Sequence, residues 1–206
     1  MAKKSSSSRR WLHEHINDVY VQQAQKQGYR SRAAFKLLEL EERDKLLRPG
    51  MTVVDLGAAP GSWSQIAANR VGRQGCVVAL DILAMEPLPG VIVLEKDFTT
   101  DEAVAALEQA LQGRVVDLVI CDIAPNITGM SSVDQPNAMY LVELALDFAL
   151  KKLRPGGDFL VKVFQGQGAE EFIKSCRPAF ASVVIRKPKA SRPRSNEVYV
   201  LARRRK

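Results

Sequence analysis

Five short apolar runs, at residues 51–56, 76–80, 91–94, 115–121 and 159–164, limit how this chain can fold more than any other feature. They are near-continuous rather than alternating, as in strands buried on both faces, and helix-compatible stretches separate them. That rhythm predicts a parallel α/β sheet covered by helices on both faces. Ser31 is placed to cap a helix over about 32–46, which Arg48-Pro49-Gly50 ends. A second helix is expected over about 62–70 and a third over about 136–153, with Pro136 in its first turn and Pro155-Gly156-Gly157 as its stop. Two β-rich runs, 181–185 and 197–202, have no room for a full helix between them and should pair antiparallel. The expectation is therefore a mostly parallel seven-stranded sheet with an antiparallel C-terminal hairpin. Residues 29–206 are expected to form a single domain, preceded by a basic, partly disordered segment, 1–28.

Charge is distributed unevenly along this frame. Residues 1–48 carry a net +5, 49–185 a net −6 and 186–206 a net +8, which together make the formal +7. Basic flanks around an acidic middle suit a polyanion held beside a site with a different task. No apolar stretch approaches the ~20 residues needed to cross a bilayer, and the start of the chain lacks the apolar core of a secretory signal. Cys76, Cys121 and Cys176 lack the close spacing of zinc or redox motifs and are expected as reduced core residues. These features predict a soluble cytoplasmic protein without a bound metal, acting as a monomer.

Ligands of an open parallel sheet gather beyond the carboxyl ends of its strands, and four aspartates fall there. Asp55, Asp81 and Asp122 end the first, second and fourth apolar runs, and Asp97 follows the third. A single strand-end Asp commonly caps a turn; four in register point to a ligand. The loop Asp55-Leu56-Gly57-Ala58-Ala59-Pro60-Gly61-Ser62-Trp63 lets backbone approach closely at Gly57 and Gly61, yet does not spell G-x-G-x-x-G. Without that pyrophosphate cradle, a nucleoside such as S-adenosylmethionine fits better than a dinucleotide. Asp81 is then placed for ribose hydroxyls and Asp97 for an adenine amino group, while Trp63 either shields the cofactor or simply packs. Five β/α units closed by a hairpin match a Rossmann-like class I methyltransferase architecture.

Lys162 sits inside the apolar run 159–164, where an unpaired ammonium would be costly. The basic segment Ser191-Arg192-Pro193-Arg194-Ser195-Asn196 leads into a strand whose first residue, Glu197, is placed to reach a neighbouring lysine. From about Tyr29 to Lys206 the chain resembles the FtsJ/RrmJ (RlmE) family of large-subunit ribosomal RNA 2′-O-methyltransferases. The resemblance rests on Tyr29-Arg30-Ser31-Arg32-Ala33-Ala34-Phe35-Lys36-Leu37, the loop 55–65, Asp122-Ile123-Ala124-Pro125-Asn126, Val161-Lys162-Val163-Phe164 and Ser191-Arg192-Pro193-Arg194-Ser195-Asn196-Glu197. It implies that Lys36, Asp122, Lys162 and Glu197 form a catalytic tetrad and that Gly61, Trp63, Asp81, Asp97 and Asp122 contact S-adenosylmethionine. It also implies a uridine in the peptidyl-transferase region as acceptor, in rRNA or an assembled large subunit. Ser62 replaces the glycine many relatives carry and is expected to narrow the room beside the cofactor.

The chemistry expected of such a site is direct displacement at the methyl carbon, with alignment supplying much of the rate. Lys162 serves as base only if its pKa falls, which Lys36 and burial would promote and the two carboxylates oppose; otherwise it stabilises the developing alkoxide. Basic segments 1–10 and 186–194, with Arg30, Arg32 and residues 203–206, are expected to contact phosphates. Competing readings are weaker. Amino-directed methyltransferases carry Asp/Asn-Pro-Pro-aromatic where this chain has Asp122-Ile123-Ala124-Pro125, and Cys121 is the lone candidate for a cytosine-directed nucleophile. A small-molecule methyltransferase has no need of basic flanks, and a non-catalytic RNA-binding assembly factor has no need of four filled tetrad positions. Transfer RNA and mRNA cap enzymes share the tetrad logic.

Overall fold

A computed structural model describes residues 18–125 and 128–206. The basic segment 1–10 and the motif residue Asn126 lie outside the described residues. The elements in order are α1 (Val19–Gln27), α2 (Ala34–Asp44), β1 (Thr52–Leu56), α3 (Ser62–Val71), β2 (Cys76–Asp81), β3 (Val91–Glu95), α4 (Asp101–Leu111), β4 (Val116–Cys121), α5 (Ser131–Lys152), β5 (Leu153–Phe164), α6 (Ala169–Cys176), β6 (Phe180–Arg186) and β7 (Glu197–Arg205). They build one seven-stranded sheet of order β3-β2-β1-β4-β5-β7-β6. The first five strands run parallel and β7 inserts antiparallel between β5 and β6. All five expected strands and the hairpin are present.

The near-continuous strand sequences follow from burial on both faces. Val53, Val77, Leu118 and Leu160 point to the side covered by α2 and α3, where Leu37, Leu40, Ile66 and Val71 meet them. Their neighbours Val54, Val78, Val119 and Val161 point to the side covered by α4, α5 and α6, against Leu107, Val142, Ala145 and Phe172. Along β1, the centres of β2 and β4, and β5 from Phe159 to Val163, the side chains therefore lose water, and each large apolar one contributes roughly 1.5–3 kcal/mol by burial.

Three details differ from expectation. Residues 18–28, assigned above to a segment preceding the domain, form α1 and its glycine cap and pack on α2, with Tyr20 5.4 Å from Phe35 between ring centroids. Helix α5 begins at Ser131, so Pro136 lies beyond its first turn. Finally, Pro155-Gly156-Gly157 does not open a loop after α5. Strand β5 starts at Leu153, and the register on β4 jumps from Val116↔Leu153 to Leu118↔Asp158, so the Pro-Gly-Gly is an outward bulge within a strand.

The antiparallel placement of β7 matters for the site. Parallel strands end at one edge of the sheet, and an antiparallel strand begins there, so the first residue of β7 is delivered to the edge where β1, β4 and β5 finish. Glu197 is register partner of Phe164, and Tyr199 of Lys162.

Candidate active site

The winding reverses between β1 and β4, and ligands of such sheets collect in the crevice beyond the strand ends at that switch. A cavity of about 340 Å³ lies there, lined by residues that include Gly57, Ala59, Asp81, Asp97, Asp122 and Pro125. Gly57 adopts φ 73°, and a Cβ in its place would come within 2.5 Å of the Ile123 Cα, so only glycine lets this loop close on the end of β4. Asp81 is pinned at the cavity edge by two backbone N–H groups, from Ala59 to Oδ2 and from Leu83 to Oδ1, both at 2.9 Å. Each oxygen keeps a lone pair for a ligand hydroxyl. Asp97 accepts from the Thr99 N–H at 2.9 Å and its hydroxyl at 2.7 Å, which hold its carboxyl below the usual range. Ile82 and Leu83 line the same cavity although more than 60% exposed, an apolar surface fit for a flat heterocycle.

Three residues expected at the cofactor lie off the cavity lining. Gly61 opens α3 with φ 105° and packs under Met85, Leu88 and Arg30, whose side chains a Cβ would meet at 2.8–2.9 Å. Trp63 is buried against Tyr199, with ring centroids 5.6 Å apart, and its indole donates to the Ala33 carbonyl at 2.9 Å. Asp55 is fully buried beneath the loop. Burial pushes its carboxyl up to about 7 despite a 2.5 Å hydrogen bond from Ser64, with Asp122 and Asp81 adding to the rise. Its Oδ1 has no hydrogen-bond partner among the described residues, so a positively charged ligand group nearby fits this crowd of carboxylates. Ser62 hydrogen-bonds Ser31 at 2.7 Å and ties α3 to the turn before α2; its side chain is absent from the cavity lining.

Lys36, Asp122, Lys162 and Glu197 do converge, as two ion pairs around one tyrosine. Lys162 Nζ donates to the Asp122 carbonyl at 2.7 Å and lies 3.2 Å from its Oδ1. Lys36 Nζ pairs with Glu197 Oε1 at 2.8 Å and sits 5.8 Å from the centre of the Tyr199 ring. The Tyr199 hydroxyl donates to Asp122 Oδ1 at 2.8 Å, which links the pairs. Burial opposes the charges on Asp122 and Glu197, yet Lys162 with Lys36 at the former, and Lys36 at the latter, hold both carboxyls below the usual range. Burial and these two carboxylates raise Tyr199 well above an ordinary phenol, so it stays a protonated donor.

Two supports were invisible to motif reading. Tyr199 is one, and strand alternation from Glu197 is the signal that puts it on the same side. Glu39 is the other. Its carboxylate accepts the N–H groups of Lys189 and Ala190 at 2.7 and 2.8 Å, anchoring the loop before Glu197 one helical turn from Lys36.

Several arginines of the basic flanks also hold the fold together. Arg30 donates to the carbonyls of Pro60, Glu86 and Pro87, and Arg32 pairs with Asp18 while bonding the Ala190 carbonyl. Arg186 pairs with Asp44 and Arg203 with Asp158. A guanidinium with five planar donors suits such stitching of loops, so much of this charge works inside the fold. Cys121, fully buried, has its thiol pushed up to about 12 by burial, which removes it as a nucleophile near neutral pH. No helix among the described residues is long and apolar enough to cross a membrane.

The chain is similar in sequence and in fold to known proteins. The chain is 62% identical to the ribosomal RNA large subunit methyltransferase E of Alkalilimnicola ehrlichii over 98% of this chain and 96% of that protein. It is 60% identical to the protein of the same name from Azoarcus sp., over 97% of each. Among solved structures, a Plasmodium falciparum protein assigned as a ribosomal RNA methyltransferase superposes with a TM-score of 0.77 at 26% identity, covering 86% of this chain and 98% of that one. A Streptococcus mutans protein assigned as a methyltransferase and solved with S-adenosylhomocysteine shares the fold at 13% identity, with a TM-score of 0.52 over 84% of this chain and 95% of that one. The family of FtsJ-like methyltransferases matches residues 29–205, and with that span and those identities the chain belongs to it.

Proposed function

We infer that this methyltransferase uses S-adenosylmethionine to methylate a ribose 2′-hydroxyl of large-subunit ribosomal RNA, a uridine of the peptidyl-transferase region, in the cytoplasm. The observation that carries the reading is the double ion pair, Lys162 with Asp122 and Lys36 with Glu197, joined through Tyr199 at the cavity. Ribose, a neutral hydroxyl of high pKa, needs positive charge close to its oxygen; a purine or pyrimidine amino group does not.

S-adenosylmethionine, when bound, supplies a methyl group activated on a sulfonium. Asp81 would hold its ribose hydroxyls and Asp97 its adenine amino group, with Gly57 allowing close backbone approach and Asp55 and Asp122 supplying negative charge for its cationic end. Lys162 is the catalytic residue. An ammonium has three hydrogens, and with the Asp122 carbonyl and carboxylate as partners one is left to meet the 2′-oxygen. It orients that oxygen and stabilises the negative charge that builds as the hydroxyl proton departs to solvent and the oxygen takes up the methyl group. Lys36 adds a second positive charge, and Glu197 and Asp122 fix both ammonium groups so that no reorganisation is needed during reaction.

The test supplies isotopically labelled S-adenosylmethionine with naked large-subunit rRNA, assembled large subunits and transfer RNA, followed by mapping of the methylated ribose. Label on one ribose of large-subunit rRNA is expected. Label on a base, or on transfer RNA alone, overturns the reading.

A further inference from the structure

A second cavity, of about 210 Å³, opens on the far side of Pro125, which among the described residues is the one that lines both this space and the larger cavity. We propose that it receives the base of the acceptor nucleotide, a pyrimidine laid on Phe164 and read by the side-chain amides of Gln165 and Asn196. This rests on the ribose-directed reading above and names how its acceptor is chosen.

Placement is the first argument. Phe164 lies two residues beyond Lys162 on β5, therefore on the same face of the strand, and the Lys162 Nζ is 5.5 Å from its ring centroid. Phe164 is paired in register with Glu197, and Asn196 immediately precedes that residue. A ribose whose 2′-oxygen meets Lys162 carries its base only a few ångströms away, within reach of this cavity, which Phe164 lines.

The second argument is chemical. Sequence-selective RNA enzymes splay a nucleotide out, stack its base on an aromatic ring and hydrogen-bond its edge. Phe164 supplies the ring. Gln165 and Asn196 are exposed, and their side-chain amides make no hydrogen bond among the described residues. Each amide offers both a donor and an acceptor, the combination needed for the alternating carbonyl and N–H groups along the uracil edge. The two are held together by the bond from the Gln165 N–H to the Asn196 carbonyl, 2.9 Å. The wall is also built rather than loose. Gln135 donates to the carbonyls of Phe164 and Gln167 at 3.1 and 3.0 Å and packs on Gly166, whose φ of 153° and lack of a Cβ leave room for it.

The experiment measures transfer to large-subunit rRNA carrying either uridine or cytidine at the mapped ribose, naked or assembled. Wild-type protein is compared with Gln165→Ala, Asn196→Ala, Gln165→Glu and Asn196→Asp. Both positions are exposed, and calorimetric affinity for S-adenosylmethionine serves as the control that each variant is folded. The alanine variants should lose kcat/KM on uridine by on the order of tenfold or more. At least one acidic variant, now an acceptor only, should move the uridine-to-cytidine ratio towards cytidine, whose amino group it can bind, by about tenfold. A general loss from added negative charge lowers both acceptors alike and leaves the ratio unmoved. If wild-type protein transfers to ribose while all variants keep its kcat/KM and its ratio, the base lies elsewhere and this inference alone is overturned. Failure of the wild-type protein to methylate any ribose overturns the ribose reading and the inference with it.

Discussion

Tyr199 gives its hydroxyl hydrogen to Asp122 Oδ1, the same oxygen that faces the Lys162 ammonium at 3.2 Å. One carboxylate oxygen thus balances a phenol and an ammonium, and its share of negative charge sets how firmly Lys162 is held. Tyr199→Phe keeps the ring under Lys36 and against Trp63 but frees that oxygen. Loss of one hydrogen bond to a charged group is worth about 1.5–3 kcal/mol, so kcat should fall by roughly ten- to a hundredfold with cofactor affinity nearly unchanged. Single-turnover methyl transfer beside calorimetric binding separates the two.

Lys162→Ala should abolish methyl transfer and leave S-adenosylmethionine binding nearly intact, because the lysine is proposed to meet the acceptor oxygen and is not among the described residues that line the larger cavity. Equal loss of binding and transfer would make it a structural lysine. Cys121→Ser supplies the contrast. A buried thiol with so high a pKa does no chemistry, so that variant should keep wild-type turnover.

The Lys36–Glu197 pair is about 10% exposed at each side chain, and breaking a buried pair strands a charge. Lys36→Met should lower unfolding stability by about 3 kcal/mol, and adding Glu197→Gln should recover most of that loss although activity stays low. Denaturant midpoints of the wild type, both single variants and the double variant close the cycle. Additive losses would mean the two side chains are not coupled.

β1, β2, β4 and β5 were legible because burial on both faces writes them as unbroken apolar runs, and the convergence of Lys36, Asp122, Lys162 and Glu197 because each sits at a recognisable motif. What escaped has a common cause. Tyr199 and Glu39 act on partners 77 and 150 residues away in sequence, and no local pattern carries that distance. Trp63 lies in a loop-to-helix motif that suggests a ligand, but its indole is engaged by the Ala33 carbonyl, a contact set by how α2 packs on α3. Helix α1 buries only Val21 and Ala24 along its length, too little apolar signal to stand out in a polar segment. Pro155-Gly156-Gly157 marks the end of α5 but gives no sign that it lies within a strand, because the same residues serve turns and bulges. Only pairing with β4 tells the two apart.

Asp55 gives the fold a pH dependence opposite in sign to that of the tetrad carboxylates. Asp122 and Glu197 titrate below their ordinary values, so the stability they contribute is complete above about pH 5.5 and is lost as pH falls through the ordinary carboxylate range and below it. Asp55 titrates near 7 in the folded chain and near 3.8 when unfolded. Between those values the folded chain holds a proton that the unfolded chain has released, so stability declines as pH rises and levels off above about 7. Asp55→Asn removes the titration while still accepting from Ser64. Its advantage in stability over wild type should therefore grow by roughly 3 kcal/mol between pH 4.5 and pH 8, read as the difference of two denaturant curves at each pH. A constant difference across that range would show that Asp55 is ionised throughout.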